Sequence, residues 1–235
     1  MNKIIENSIY KVLDLGDITE KYENVFIGGD IHGMYDMFMK GLHDVGFVKE
    51  KDLFIACGDL VDRGPKNKEC IDLLNEDWFI SAKGNHDRMV ERYVSNPSNI
   101  DFKEFWEGQG GRWNIKYGLE EMINMANLIH DKMPLVVKFI RHGKRYMVAH
   151  ANIYDPEDLS SYDERFITQD RTIHHNGHTP IPGYEFCFFG HTYNEDLSID
   201  GNRVYIDTGA VFGKKFTFVR MYKDQVDSSY IFEYD

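Results

Sequence analysis

Three stretches of the chain repeat one pattern of apolar and polar positions. NVFIGG runs into DIHG, LFIACG into DLVDRG, and WFISAKG into NHDRM, each followed by residues at helical spacing. A short, continuous apolar run bounded by glycine and charge predicts a buried strand. Strands alternating with helices predict βαβ units, a mostly parallel sheet and right-handed crossovers. Residues 101–130, rich in Phe, Trp, Met and Leu at mixed spacing, predict a helical segment that caps this sheet. From Pro134 the texture changes. LVVKFI, KRYMVAH, YEFCFFG, NRVYIDTG, KKFTFVRMY and SSYIFEYD are β-branched or aromatic runs separated by charged or glycine turns. They predict a second sheet, mixed or antiparallel. Residues 151–183 hold much Pro, Asp and His at weak periodicity and read as a long loop with room for a short helix, a kind of segment that often carries function. No Ser, Gly or Pro tract separates the halves, so residues 1–235 are expected to be a single domain that changes sheet near position 134.

Composition narrows the function classes. Lys and Arg number 27 and Asp and Glu 39, for a formal charge of -12. That balance opposes binding along a nucleic-acid backbone, where Lys and Arg supply the affinity, so no nucleic-acid partner is expected. Any handling of phosphate must then be local. Cys57, Cys70 and Cys187 lie far apart and form no CxxC pair, which fits a reduced compartment. The N-terminal stretch MNKIIENSIYKVLDLGD lacks the apolar core of a signal peptide, and no run nears the ~18 apolar residues of a membrane span. A cytoplasmic protein with no membrane partner is expected, of unknown oligomeric state.

The chemistry gathers where the apolar runs stop. Five of them end in metal-binding side chains: Asp30 with His32, Asp59, Asn85 with His86, His150, and His191. Asp30 and His32, two residues apart on an extended chain, point to the same side. Ligands in open α/β sheets collect at the carboxyl ends of strands, so five such ends are expected to meet in one crevice. Nitrogen and oxygen donors without thiolate suit Mn²⁺, Fe or Zn²⁺. The donors are more than one ordinary site takes, which predicts two divalent ions sharing a bridging carboxylate. Two such cations outweigh the carboxylates of Asp30 and Asp59, so the site wants an anion, and a phosphate monoester fits. Arg63, four residues after Asp59, is placed to fork onto phosphate oxygens.

GDIHG at 29–33, GDLVDRG at 58–64, GNHD at 84–87, His150 and GHT at 190–192 together resemble the calcineurin-like metallophosphoesterases, and within them the phage lambda-type serine/threonine protein phosphatases. The likeness spans most of residues 20–222. It implies an α/β fold, a four-layer α/β/β/α sandwich of two mixed sheets flanked by helices. It implies further that Asp30, His32 and Asp59 hold one ion, most often Mn²⁺, and that Asp59, Asn85, His150 and His191 hold the other. His86, oriented by Asp62, would then protonate the leaving seryl oxygen, while Arg63 and Arg171 would bind the phosphate. The activity implied is dephosphorylation of phosphoserine and phosphothreonine in proteins or peptides by a hydroxide held between the ions. A phage origin would place it in a host cytoplasm. GNHD, with Asp87 where Glu is commoner in the protein phosphatases, also occurs in diadenosine tetraphosphate hydrolases, so a symmetrical hydrolase of that kind is the alternative. HHNGH at 174–178 reads as a solvated loop and GQGGRW at 108–113 as a turn between helices. IDTGA at 206–210 reads as a turn lining the crevice.

Overall fold

The computed structural model describes residues 3–7, 10–171, 179–213, 215–222 and 225–233. The HHNGH stretch lies outside the described residues. Two strands, β1 (Lys3–Asn7) and β2 (Tyr10–Asp17), precede the first predicted one and pair antiparallel. The three predicted strands follow as β3 (Val25–Gly28), β4 (Leu53–Ala56) and β5 (Phe79–Ser81), all parallel. Helix α1 (Tyr35–Asp44) follows β3, α2 (Asn67–Asp72) follows β4, and α3 (Asn85–Ser95) follows β5. The predicted helical segment is α4 (Ile100–Gly108), a 3-10 stretch at Gly111–Lys116 and α5 (Leu119–Lys132). Beyond it come β6 (Val136–Arg141), β7 (Lys144–Ala149), α6 (Glu164–Gln169), β8 (Phe186–Phe189), β9 (Ser198–Asp200), β10 (Arg203–Tyr205), β11 (Lys215–Tyr222) and β12 (Gln225–Glu233).

These strands form a seven-stranded sheet, ordered β1-β2-β6-β7-β8-β10-β9, and a five-stranded sheet, ordered β12-β11-β3-β4-β5. Both are mixed. The division near residue 134 is therefore not a clean change of sheet. The last hairpin returns to the first sheet, where β11 pairs antiparallel with β3, and the N-terminal strands join the second. The reason is the exposed edge that β3 would otherwise present, which β11 covers while burying Phe216, Phe218 and Val219. β9 escaped prediction because its three residues, Ser-Ile-Asp, carry no apolar run and leave Ile199 half exposed.

Strand periodicity separates two cores. Phe26 and Phe54 face the helices, where Phe38 of α1 meets Phe54 edge-on at 4.9 Å between ring centroids. Their neighbours Val25, Ile27, Leu53 and Ile55 face the other sheet and pack with Val137, Phe139, Val148 and Phe188. On the far face of the seven-stranded sheet, Ile153, Leu159 and Ile167 of the 151–171 segment cover Met147, Phe189 and Tyr205. The fourth layer is thus thin: irregular chain plus the six residues of α6. The loops after β3, β4, β5, β7 and β8 open at the shared edge of the two sheets.

Candidate metal centre and its surroundings

The predicted site residues sit in loops or, for Asn85 and His86, in the first turn of α3, and backbone hydrogen bonds and strain hold the loops in place. His32 donates its backbone N–H to the carbonyl of Asp59 at 2.7 Å, and Gly33 donates to Leu60 at 2.8 Å. The loops after β3 and β4 are therefore tied together. His32, Asp59, Asp62, Arg63 and His191 all have positive φ, and His142 is the one other described non-glycine residue that does. Such conformations cost about 1–3 kcal/mol each and persist where function fixes them. Two glycines make room for the carboxylates: a Cβ at Gly84 would collide with Oδ1 of Asp59, and one at Gly190 with Oδ1 of Asp30.

Asp59 lies at the middle. Its Oδ2 is 3.5 Å from Nε2 of His32 and 3.4 Å from Nε2 of His150, while its Oδ1 accepts the backbone N–H of His86 at 2.9 Å. His32 donates from Nδ1 to the carbonyl of Val61 at 2.8 Å, and Nδ1 of His150 lies 3.0 Å from the carbonyl of Cys57. A carbonyl on Nδ1 leaves Nε2 as the free lone pair, the usual way a protein presents imidazole to a metal. Nε2 of His150 also lies 3.1 Å from Oδ1 of Asn85. Three electron-rich atoms thus face one another, an arrangement that only a proton or a cation between them makes favourable. Among the described residues, two groups of donor atoms close enough to hold an ion result, His32 with Asp59 and His86, and Asp59 with His150 and His191. Asp30 stands on the other side, 3.7 Å from Nδ1 of His150 and accepting the backbone N–H of His191 at 3.1 Å. The donor set fits divalent metal.

Charge is distributed unevenly. Burial pushes the Asp59 carboxyl up, but His150, His86 and His32 around it outweigh this and hold it well below the ordinary range. Burial, with Asp207 and Asp59 nearby, raises Asp30 well above it. Burial lowers His150, yet Asp59 and Asp30 overcome that and take it up to about 10. Burial takes His32 and His191 down to about 3. The two carboxylates attract a proton onto His150, the place where a cation is wanted.

Beside the centre, Nδ1 of His86 meets Oδ2 of Asp62 at 2.6 Å. Asp62 is fully buried and accepts the indole N–H of Trp106 at 2.9 Å and of Trp113 at 2.6 Å. Arg63 donates to Nε2 of His32 at 2.7 Å and to Nε2 of His86 at 2.9 Å. Arg171, exposed, donates from Nε to Nε2 of His191 at 3.1 Å. Arg63 thus lies on two imidazoles of the centre and Arg171 on a third, whose Nε2 also lies 3.1 Å from the carbonyl of Gln169.

Sequence reasoning did not find Trp106, Trp113 or Asn67. A buried indole N–H needs an acceptor, but nothing in the sequence says which. Asn67 accepts the Asp62 backbone N–H at 2.6 Å. Asp87 accepts from Leu60 and Gly84, both at 2.9 Å, so it ties the loop after β4 to the start of α3. Burial and the nearby Asp59 take its carboxyl up to about 7. GQGGRW is the turn between helices, and Gly110, with φ at 112°, accepts the Arg63 backbone N–H at 3.1 Å.

Residues 24–207 match the calcineurin-like phosphoesterase family. The chain belongs to this family. It is a phosphoesterase, and the two mixed sheets flanked by helices match the fold of that family. Serine/threonine-protein phosphatase 2 of Escherichia coli (strain K12) is 30% identical over 209 residues, covering 85% of this chain and 94% of that protein. The asymmetrical bis(5'-nucleosyl)-tetraphosphatase PrpE of Halalkalibacterium halodurans is 27% identical, covering 82% and 87%. Among solved structures, a candidate diadenosine tetraphosphatase superposes with a TM-score of 0.68 at 21% identity, covering 92% of this chain and 96% of that one. Among the described residues no helix is long and apolar enough to cross a membrane.

Proposed function

We propose that this phosphoesterase is a metal-dependent phosphomonoesterase that removes phosphate from phosphoserine and phosphothreonine in proteins, with residues 1–235 acting as one domain in the cytoplasm. The observation that carries the reading is Oδ2 of Asp59 standing between Nε2 of His32 and Nε2 of His150, with the Asp62–His86 pair alongside. Asp30, His32 and Asp59 would hold one ion and Asp59, Asn85, His150 and His191 the other, with Mn²⁺ the metal that oxygen and imidazole donors suit and Fe or Zn²⁺ next. When bound, the two cations supply a more acidic water and offset the charge on the phosphoryl oxygens.

The chain's own side chains do the rest. Arg63 and Arg171, both aimed at the centre, bind the phosphate oxygens and stabilise the charge that builds on them. Hydrolysis replaces the bond from phosphorus to the seryl oxygen by one from water, and the departing oxygen needs a proton. Asp62 holds Nδ1 and fixes the ring, and His86 supplies the proton from Nε2, the nitrogen that Arg63 frees when it turns to the phosphate. Cys57 cannot serve as nucleophile, since its thiol is buried and pushed far up by that burial. No phosphorylated enzyme is needed.

Removing metal with chelator and restoring it with Mn²⁺ is expected to abolish and then recover hydrolysis of p-nitrophenyl phosphate. Full activity in the stripped protein would end the reading. The second reading is dinucleoside polyphosphate hydrolysis, favoured by the named tetraphosphatase relative. Side-by-side rates decide: a phosphoserine peptide is expected to be the better substrate, and faster cleavage of diadenosine tetraphosphate would reverse the choice.

A further inference from the structure

A cavity of about 310 Å³ opens beside the metal centre, walled by α3, α4 and α6. One face of α3 runs directly into it: Asn85, a proposed metal ligand, then Arg88 and Arg92 at helical spacing. Phe102 and Phe105 of α4 and Arg165 of α6 add to the wall, and among the described residues no acidic one lines it. This is unusual in a chain of formal charge -12. Arg88 is already neutralised, since its Nε lies 3.1 Å from Glu164 and it donates to Thr168. Arg92 and Arg165 have no carboxylate partner among the described residues. Arg92 lies over the Phe102 ring at 4.1 Å, and Arg165 donates to Gln169 at 3.2 Å. Two exposed guanidiniums therefore sit in a pocket next to the centre with their charge unspent.

We infer that this pocket reads an acidic side chain flanking the phosphorylated residue of a protein substrate, an inference that rests on the protein phosphatase reading. Seven residues of helix separate Asn85 from Arg92, roughly 10 Å along its axis at ~1.5 Å per residue. An extended peptide covers that span in about three residues at ~3.3 Å each. The selected position is accordingly three residues from the phosphoserine. The walls also argue against a nucleobase as the occupant. Arg92 already covers the Phe102 face, which leaves only Phe105, 53% exposed, to stack on.

The test uses phosphoserine peptides that differ only in Glu, Ala or Lys three positions before or after the phosphoserine. Expected for the natural chain is a kcat/KM about fivefold to tenfold higher for Glu than for Ala on one of the two sides, the size two partly exposed charge pairs allow, with Lys below Ala. In the double variant Arg92→Ala, Arg165→Ala the Glu to Ala ratio is expected to fall to about one. Arg92→Glu with Arg165→Glu is expected to favour Lys. The Ala peptide is the reference in each protein, so any general loss from folding divides out. A natural ratio within twofold, or a ratio that survives the double Ala variant, overturns the pocket assignment alone. Hydrolysis of p-nitrophenyl phosphate without hydrolysis of any phosphopeptide overturns the phosphatase reading and the pocket with it. If the double variant instead loses hydrolysis of diadenosine tetraphosphate while the peptide ratio is unchanged, the pocket belongs to a nucleotide and the proposal is wrong.

Discussion

The first sheet delivers Asp30, His32, Asp59 and Asp62 from loops after two parallel strands and Asn85 and His86 from the helix start after a third, and every one of them is at most 9% exposed. The second sheet delivers His150 and His191 and, through the thin 151–171 layer, an exposed Arg171. On the first side, side chains are held by other buried side chains: Asp62 by two indoles and His86, Asp87 by two backbone N–H groups. On the second, His150 is just as buried, but Arg171 has, among the described residues, one imidazole for a partner and is open to solvent. The difference separates two jobs. A rigid, dry wall fixes the groups whose position decides the rate, since donors set in place before reaction need no reorganisation. An open wall admits substrate and grips its charge.

Asp59 is the side chain proposed to serve both ions, with His32 on one side of its Oδ2 and His150 on the other, so its loss should be the most damaging. Asp59→Asn is expected to abolish measurable phosphatase activity and to reduce bound metal from two ions to one or none by elemental analysis. Retention of two ions would mean that the bridge lies elsewhere. Next come the groups that belong to the rigid wall alone. His86→Asn is expected to lower kcat by about 10²- to 10⁴-fold with both ions still bound, the usual contribution of a positioned acid. If metal and activity fall together, His86 is a ligand, as its closeness to His32 and Asp59 also permits. Asp62→Asn keeps the shape but removes the carboxylate from Nδ1 of His86, and a fall of similar size in kcat with KM little changed is expected.

Both arginines are exposed, and they differ in how they are anchored. Arg63 bridges two buried imidazoles and has its backbone N–H held by Gly110. Arg63→Ala should cost about 10²- to 10³-fold in kcat, as for a lost preorganised donor. Arg171→Ala removes a solvated group, and an increase in KM of about tenfold or less with a smaller change in kcat is expected. Equal effects from the two would show that the open wall is as rigid as the closed one.

That contrast also marks what the sequence made legible. The parallel strands β3, β4 and β5 are apolar on both faces, so their runs stand out and their ends point to the ligands without ambiguity. His150 and His191 were visible for the same reason, each closing an apolar strand. What was hidden depends on partners distant in sequence. Trp106 and Trp113 reach Asp62 across 44 and 51 residues, and an indole in a helical segment reads simply as core. Strand β1 is a sheet edge, and both it and β2 carry charge, so alternation there was too weak to separate them from a loop. The Arg92 and Arg165 pocket appears only when α3 and α6, which are 73 positions apart at those residues, come together.

The smallest expected effect concerns protons, and it tests whether the two walls share one electrostatic centre. His150, taken up to about 10 by Asp59 and Asp30, carries a proton at neutral pH in the metal-free protein. A cation must displace that proton, because the same Nε2 lone pair is needed. His32 and His191, held at about 3, are already neutral and release nothing. Binding of Mn²⁺ should therefore release about one proton, with a further fraction from Asp30, whose carboxyl is raised by burial. The sign follows: each proton released strengthens apparent metal affinity by about tenfold per pH unit as pH rises toward the His150 value, and weakens it as pH falls. Calorimetric titration of the stripped protein in buffers of different ionisation enthalpy counts the protons. In His150→Asn the release should drop to the Asp30 fraction, and an unchanged count would move the proton to another group. Affinity independent of pH near neutrality would mean that Asp59 and Asp30 do not act on His150 across the sheet boundary, and the two walls would then be electrostatically separate.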